Sequence, residues 1–570
     1  MAKHLHRLLL GGVAVTVLAA FSGNAFAEDV TFERLSNPED GNWLSINRTY
    51  DSNRYSPLGE ITKENVGNLK VAFTVPLMPG SKGAGAFASS LQGTPLVDNG
   101  IMYMSDGWGR IYRINLTKGD RGYIDWIYDP DTDGELATGI LNNRGVALYG
   151  DSIYSVTPDC GLVRVNKESG ELIWRVETQQ NPVEYCTMAP LAIDGKIITG
   201  PAGGDGPMRG RLEAYNPEDG ALIWTFETID DASFETGADT GGGATWVTGS
   251  YDVSRDELVW GIGNPYPDWE PSKRPGDNLY TNSTVALNAK TGEINWHFQY
   301  TPNDSWDFDE VGSQQLISAT INGEVRKIVS HFGRNGFYYD LDATNGAYVN
   351  GSQYAEKVTW TAGIDPKTGM PVEYDPSLKV QEYLPESRMD FDLMAMPSDF
   401  QFCPYWEGGV NMFPTTYSHD TKLVYGLLME GCTFNPNDRP DGEEGRITGA
   451  VVSVDPTTGA VVQRHEFAST GRGGMISTAG GVVFGTSSNG DIFALDATTL
   501  ERLWNFNVGT MIDAPPITFA IDGKQYVALA VGPGGVGLGF HKYPDKSSDS
   551  EEALAAQQFQ PASTMYFFAL

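Results

Sequence analysis

Tyr215-Asn216-Pro217-Glu218-Asp219-Gly220-Ala221-Leu222-Ile223-Trp224 is one copy of the pattern that decides the fold of this chain. An apolar strand enters a turn built on Asn or Asp and Gly, and the short strand that leaves it ends in Trp. The same order returns from Val165 to Gly170 with Trp174, from Leu287 to Gly292 with Trp296, and from Leu495 to Thr499 with Trp504. Weaker copies run from Asn115 to Trp126, Leu341 to Gly346 and Val454 to Gly459. Strand-like runs such as Gly100-Ile101-Met102-Tyr103-Met104 and Gly481-Val482-Val483-Phe484 precede them, so each unit is a small antiparallel sheet. A sheet recurring at roughly 50 to 70 residues, with one aromatic per copy at a fixed place, describes propeller blades with the Trp packed between neighbours. The expected fold is all-β, an eight-bladed β-propeller of four-stranded antiparallel sheets. Seven copies are visible and the remaining segments leave room for the eighth. The strand-like run from Ser563 to Leu570 is expected to close the ring beside the N-terminal segment around Trp43. Beyond the first residues no long helical periodicity occurs, which counts against α/β alternatives.

Farther out, Lys3 and Arg7 precede an apolar run from Leu8 to Phe21 and then Asn24-Ala25-Phe26-Ala27, the order of a cleaved secretory leader. The run is too short to remain as a membrane span. A signal peptide over residues 1–27 is expected, leaving 28–570 as a single periplasmic propeller domain without membrane attachment. Loss of Lys3 and Arg7 takes the basic residues from 39 to 37 against 73 acidic ones, and the net charge from −34 to −36. Such a surface repels phosphate backbones, which excludes nucleic acid and admits a basic protein partner. Cys160, Cys186, Cys403 and Cys432 sit in a chain bound for a compartment that permits disulfides, and they allow three pairings. Proximity favours Cys160 with Cys186 and Cys403 with Cys432. No Cys-x-x-Cys-His occurs, so no covalently attached haem is expected.

A propeller hosts scaffolds and enzymes alike, so function has to come from unusual residues. The densest polar cluster is Thr301-Pro302-Asn303-Asp304-Ser305-Trp306-Asp307-Phe308-Asp309-Glu310, where carboxylates stand among aromatics. On an extended segment Asp307 and Asp309 point the same way, and a hard cation with oxygen ligands is the usual relief for such convergence. Alone, this run reads more simply as a solvated acidic loop. It gains meaning from Gly261-Ile262-Gly263-Asn264-Pro265-Tyr266-Pro267-Asp268-Trp269 and from the Gly-rich loop around Asp205, two rigid turns suited to presenting one oxygen ligand each. Gly241-Gly242-Gly243-Ala244-Thr245-Trp246 brings backbone close to something and ends in a large flat ring. Together these turns describe a metal beside a planar ligand.

In that order the motifs resemble those of the alcohol dehydrogenases dependent on pyrroloquinoline quinone (PQQ), the group that includes methanol and ethanol dehydrogenases. The likeness runs from Asn42-Trp43 to about Gly539 and takes in Asn143-Arg144-Gly145, the Asp205 loop, the triple-Gly Trp, Gly-Asn-Pro and Trp-Asp-Phe-Asp. It continues through Gly333-Arg334-Asn335-Gly336, Cys403-Pro404-Tyr405-Trp406, Gly409-Val410-Asn411 and Ala514-Pro515-Pro516-Ile517-Thr518. The resemblance implies an eight-bladed propeller with PQQ on its axis. It further implies that Trp246 is the floor on which the quinone stacks, and that Arg144, Thr187, Asn411 and Gln92 bond its carboxylates and carbonyls. Arg334 would stand at the reactive carbonyl edge, and Asp205, Asn264 and Asp307 would ligate the metal. Asp307 would also be the general base, taking the alcohol proton while hydride passes to the quinone.

Departures from the family's pattern sharpen the expectation. Asp309 stands where calcium-dependent members have Ala and lanthanide-dependent members have Asp, and the extra carboxylate favours a lanthanide ion over Ca²⁺. Asp205 replaces the usual Glu with a shorter arm. The family's vicinal cysteines are absent from Leu136-Ala137-Thr138-Gly139, so the roof over the quinone is expected to be sealed differently. Arg472-Gly473-Gly474-Met475 stands where relatives often carry a large aromatic, and the apparent loss of bulk predicts a wider mouth. The substrate expected is an alcohol larger than methanol, a bulky secondary alcohol among the candidates, with electrons passed to a soluble cytochrome c and a homodimer as an admissible assembly. The competing readings are a PQQ-dependent sugar or polyol dehydrogenase, and a non-catalytic periplasmic scaffold.

Overall fold

A computed structural model describes residues 29–78, 90–132, 141–390, 397, 400–435, 445, 447–532 and 563–570. The leader expected over residues 1–27 and the stretch Leu136 to Gly139 lie outside the described residues. Seven four-stranded sheets and one sheet of five strands form the eight blades of a β-propeller. The blades open with strands Leu96–Asp98, Ala147–Tyr149, Leu191–Ile193, Ser250–Asp252, Gln315–Ile321, Thr416–Tyr417, Ile476–Thr478 and Ile517–Ile521. The fifth strand is the short Tyr55–Ser56, which adds in parallel to Ile476–Thr478.

The repeated turns do what their sequence demands. The indole N–H of Trp126 donates to the Glu168 carbonyl (3.0 Å), Trp174 to Pro217 (3.2 Å), Trp224 to Ala289 (3.2 Å) and Trp296 to Ala343 (3.2 Å). Each bond therefore reaches the turn of the following blade. There the indole lies on the turn glycine, as Trp126 does on Gly170. That residue has φ +73°, and a Cβ on it would stand 2.7 Å from the ring. A left-handed turn with no side chain is what lets the Trp bury its face.

The ring is closed by Thr564–Ala569, which pairs antiparallel with both Lys70–Pro76 and Lys524–Val531. The sequence placed this closure beside Trp43. Trp43 instead bridges to Val97, so the closing partner is a later N-terminal strand. The segment from Trp43 to Ser56 has another role. Its backbone carbonyls accept from Tyr251 (at Tyr50, 2.9 Å), Leu316 (at Asp51, 2.9 Å), Tyr417 (at Asn53, 2.9 Å) and Ser477 (at Arg54, 3.3 Å). Those donors sit on the opening strands of successive blades, so one irregular segment plugs the axis. Arg54, fully buried, pins the plug by donating to Met475 O (2.9 Å), Pro516 O (2.7 Å) and Ile46 O, with its guanidinium 5.3 Å from the Trp43 ring. Both expected disulfides are formed, Cys160–Cys186 and Cys403–Cys432. No helix among the described residues is long and apolar enough to cross a membrane.

Candidate active site

The Trp306 to Asp309 run is not the extended strand that its alternation suggests. Asp307 has φ +60°, a left-handed conformation costly for a residue with a side chain. The segment is held by Asp304, whose carboxylate accepts from Trp306 N and Phe308 N (3.1 Å each). Trp306 and Phe308 are fully buried and pack with Trp360, with ring centroids 5.2 and 5.8 Å away, and Trp306 Nε1 donates to Ser387 O (2.6 Å). The aromatic residues thus anchor the segment. The two acids between and after them still converge, on one guanidinium: Arg334 Nη1 donates to Asp309 Oδ2 (2.7 Å) and its Nη2 lies 3.6 Å from Asp307 Oδ2.

These groups line a cavity of about 340 Å³. Gln92, Arg144, Thr187, Asp205, Trp246, Asp307, Asp309, Arg334 and Asn411 all line it, which gathers residues from Gln92 to Asn411 at one place. Asn264 does not line it, and instead stands one layer behind. Its Oδ1 is 3.2 Å from where a Gly204 Cβ would be, and its backbone N donates to Asp309 Oδ1 (3.0 Å). Gly263 is required there, because a Cβ would meet Asp309 Oδ1 at 2.4 Å. Trp246 Nε1 donates to the same oxygen (3.1 Å), joining the flat ring to the acids.

Gln92 and Arg144 come together because Ser90–Thr94 pairs in parallel with Asn142–Gly145. Arg144 bonds Thr187 Oγ1 and the Met412 sulfur (3.0 Å), and its guanidinium lies 4.7 Å from the Trp246 ring centroid. A planar ligand stacking on that face requires Arg144 to swing to the rim. Burial lowers the Arg144 pKa to about 10, and no carboxylate among the described residues forms an ion pair with it. The site is therefore short of an anion at Arg144, which a carboxylated ligand would supply. The Gln92 Oε1 atom is buried without a hydrogen-bond partner. Asn411 is engaged locally, Nδ2 with Glu407 O (2.5 Å) and Oδ1 with Met412 N (2.6 Å).

Charge is crowded on the acid side. Burial drives the Asp307 carboxyl well above its ordinary range, with Arg334 opposing and Asp205, Asp309 and Asp268 adding to the rise. Asp205 is exposed where it lines the cavity, and the protein packed around it and then Asp309 push its carboxyl up to about 6, with Arg334 and the Asn264 side chain opposing. Burial works against the Arg334 charge, but Asp307 and Asp309 more than offset it and hold its pKa above the ordinary value. As placed, no three acidic, His or Cys side chains among the described residues already form a closed metal cage. Asp309 spends its oxygens on Trp246, Asn264 and Arg334. Yet Asp307 is 6 % exposed and its Oδ1 has no hydrogen-bond partner, the oxygen a cation would satisfy. The residues fit such a group.

Sequence reasoning passed over three features. Asp268 adds a fourth acid, its Oδ1 accepting from Asn264 Nδ2 (2.9 Å) and its own pKa driven up by burial and then by Asp205. Glu310 accepts from Arg334 N (3.0 Å) and pairs with His331 Nε2 (2.9 Å), a buried prop beneath Arg334. Arg472 is the third. The apparent loss of bulk there is reversed, because its buried guanidinium lies 5.0 Å over Phe413, bonds Asp513 (2.7 Å) and Glu407 (3.3 Å), and lines the cavity. Its position invites notice only because a cation stands among glycines.

The family model for the PQQ-containing "Glucose/ethanol/alcohol dehydrogenase, beta-propeller domain" matches residues 43–355 and 446–527. The chain is 32% identical to quinoprotein alcohol dehydrogenase PedH of Pseudomonas putida, covering 94% of this chain and 93% of that protein. It is 30% identical to the quinoprotein ethanol dehydrogenase of Pseudomonas aeruginosa over 92% and 91% of the respective chains. Among solved structures, a europium-containing methanol dehydrogenase superposes with a TM-score of 0.80 at 26% identity, covering 95% of this chain and all of that one (100%). The quinohemoprotein alcohol dehydrogenase ADHIIG of Pseudomonas putida gives 0.80 at 28% identity, over 95% of this chain and 82% of that one.

Proposed function

This chain belongs to the PQQ-dependent quinoprotein alcohol dehydrogenases, and from that premise we propose that its cavity holds PQQ and a metal cation, with Asp307 as the base of alcohol oxidation. The observation that carries the site assignment is the buried, unpartnered Asp307 Oδ1 beside Arg334, in a cavity lined by the flat Trp246 ring. When bound, the quinone supplies the hydride acceptor and the cation draws electron density from its carbonyl.

The chain's residues do the rest. Asp307 accepts the hydroxyl proton, and a cation beside it counters the burial and like charge that otherwise keep it protonated. Arg334 orients both acids and presents donors at the carbonyl edge. Trp246 offers a flat face, while Arg144, Thr187, Gln92 and Asn411 take the ligand's carboxylates and carbonyls. Asp205, Asn264, Asp307 and Asp309 supply oxygens to the cation. Three acids on one side of the cavity, Asp205, Asp307 and Asp309, favour a trivalent lanthanide over Ca²⁺, since a higher charge offsets more of their repulsion. The absence of the family's vicinal cysteines from Leu136 to Gly139 favours an alcohol larger than methanol, and electrons leave to a soluble cytochrome c in the periplasm after removal of residues 1–27.

The test is reconstitution with PQQ and either La³⁺ or Ca²⁺, following reduction of an acceptor dye with primary, secondary and polyhydric alcohols. Turnover with La³⁺ and larger monohydric alcohols is expected. Activity with Ca²⁺ alone would remove the lanthanide, and activity confined to polyols would favour the sugar and polyol reading. No dye reduction under any condition would sink the site assignment.

A further inference from the structure

Asp268 has no part in the chemistry just described, yet the structure builds a support around it. Arg274, fully buried, donates to Asp268 O (2.9 Å), Pro267 O (2.8 Å) and Asn278 Oδ1 (2.8 Å). The turn that carries Asp268 is thereby fixed from behind. From this turn the Asp268 carboxylate accepts a hydrogen bond from Asn264 Nδ2 at 2.9 Å.

The Asn264 backbone is fixed as well. Its N–H donates to Asp309 Oδ1 (3.0 Å) and its carbonyl accepts from Gly243 N (2.8 Å). The one freedom left to this residue, 1 % exposed, is the direction of its carboxamide. The NH₂ end of the carboxamide is taken up on this side, by Asp268 Oδ1 and, at 3.4 Å, by Pro265 O. Asp268 therefore turns Oδ1 the other way, toward Gly204, whose neighbour Asp205 lines the cavity. Independently of these acids, the buried Asp307 Oδ1 in the same cavity lacks any partner, which marks a place where a cation is wanted.

We propose that Asp268 is a positioning residue that holds the Asn264 carboxamide with its oxygen toward the cation site. The inference rests on the reading that a cation sits among Asp205, Asn264 and Asp307. Partners that orient a ligand from behind commonly change metal affinity by about 10- to 100-fold when removed. Asp268 acts by geometry through Asn264, so an uncharged acceptor of the same shape should serve nearly as well.

The experiment uses the full chain loaded with PQQ, stripped of metal with a chelator and titrated with Tb³⁺ by equilibrium dialysis. The lifetime of Tb³⁺ luminescence in H₂O and D₂O counts bound waters. Asp268→Ala should weaken Tb³⁺ binding by about 10-fold or more and add about one water as the Asn264 oxygen is lost. Asp268→Asn, whose amide oxygen still accepts from Asn264, should stay within about 3-fold of the unaltered protein. In an Asn264→Ala background, Asp268→Ala should cost nothing further. If Asp268→Ala does not fold, Asp268→Ser takes its place, being polar but too short to reach Asn264. Unchanged affinity in Asp268→Ala, equal losses in the Ala and Asn variants, or additive losses with Asn264→Ala would each overturn the inference. Failure of the unaltered protein to bind Tb³⁺ would overturn the cation reading beneath it.

Discussion

The indole Nε1 of Trp246 donates to Asp309 Oδ1 across 3.1 Å, so the flat ring in the cavity and its acids are one hydrogen-bonded unit. Asp309 is thus a structural hub before any metal arrives. It also accepts from Asn264 N and from Arg334.

Replacing Asp309 by Ala strands those donors and leaves Arg334 with a weaker counter-charge. Breaking a buried charge pair on one side costs about 3–5 kcal/mol. The metal-free variant should lose that much in a denaturant titration, besides losing La³⁺-supported turnover. Unaltered stability would show that the hub is dispensable.

Metal loading should release protons in a pH-dependent way. Asp205 has a pKa raised to about 6, so it stays largely protonated below that value and must ionise to ligate. In the sign convention of linkage, a raised carboxyl favours the metal-free fold at low pH, and that benefit is lost as pH rises from the unfolded value of about 3.9 through 6. Calorimetry in buffers of differing ionisation enthalpy should find more protons released on La³⁺ binding at pH 5 than at pH 8. Equal release at both would count against Asp205 as a ligand.

Both disulfides brace the cavity wall, Cys186 between Tyr185 and Thr187, and Cys403 just before Trp406. Their sequence separations of 26 and 29 residues correspond to about 3 kcal/mol of stabilisation each. Reduction should lower the thermal midpoint and weaken PQQ binding, measured by retention of the quinone on gel filtration. Full retention after complete reduction would contradict this.

Arg54→Ala tests the axial plug. Removing a buried guanidinium bonded to three carbonyls should cost about 3 kcal/mol or more, because hydrogen bonds to charged groups are strong and the carbonyls are left unpaired. A midpoint shift within error would mean that the plug is held by its backbone bonds alone.

Most blades were legible because a local signal announces them, in the clearest copies a left-handed glycine turn and the Trp that must lie on the next one, whereas the eighth was placed only by the length left over. The plug was not legible, since its partners are hundreds of residues away and its own sequence has no periodicity. Asp307 and Asp309 were singled out from strand alternation, which the left-handed Asp307 does not obey. Their convergence comes instead from buried Trp306 and Phe308 and from Arg334. Asp268 was inside a quoted motif but carried no spacing rule, because its significance depends on which end of Asn264 it touches. Arg472 was misread as lost bulk, for its carboxylate partners Glu407 and Asp513 come from other blades.

The most direct test of the central claim is anaerobic mixing of alcohol with the PQQ- and metal-loaded protein, watching the quinone absorbance in single turnover. In the unaltered protein the oxidised quinone should disappear with one alcohol consumed per quinone. Asp307→Asn should bind PQQ but slow this phase by about 10²- to 10⁴-fold, the range for loss of a general base. Quinone reduction in Asp307→Asn at the unaltered rate would contradict the account.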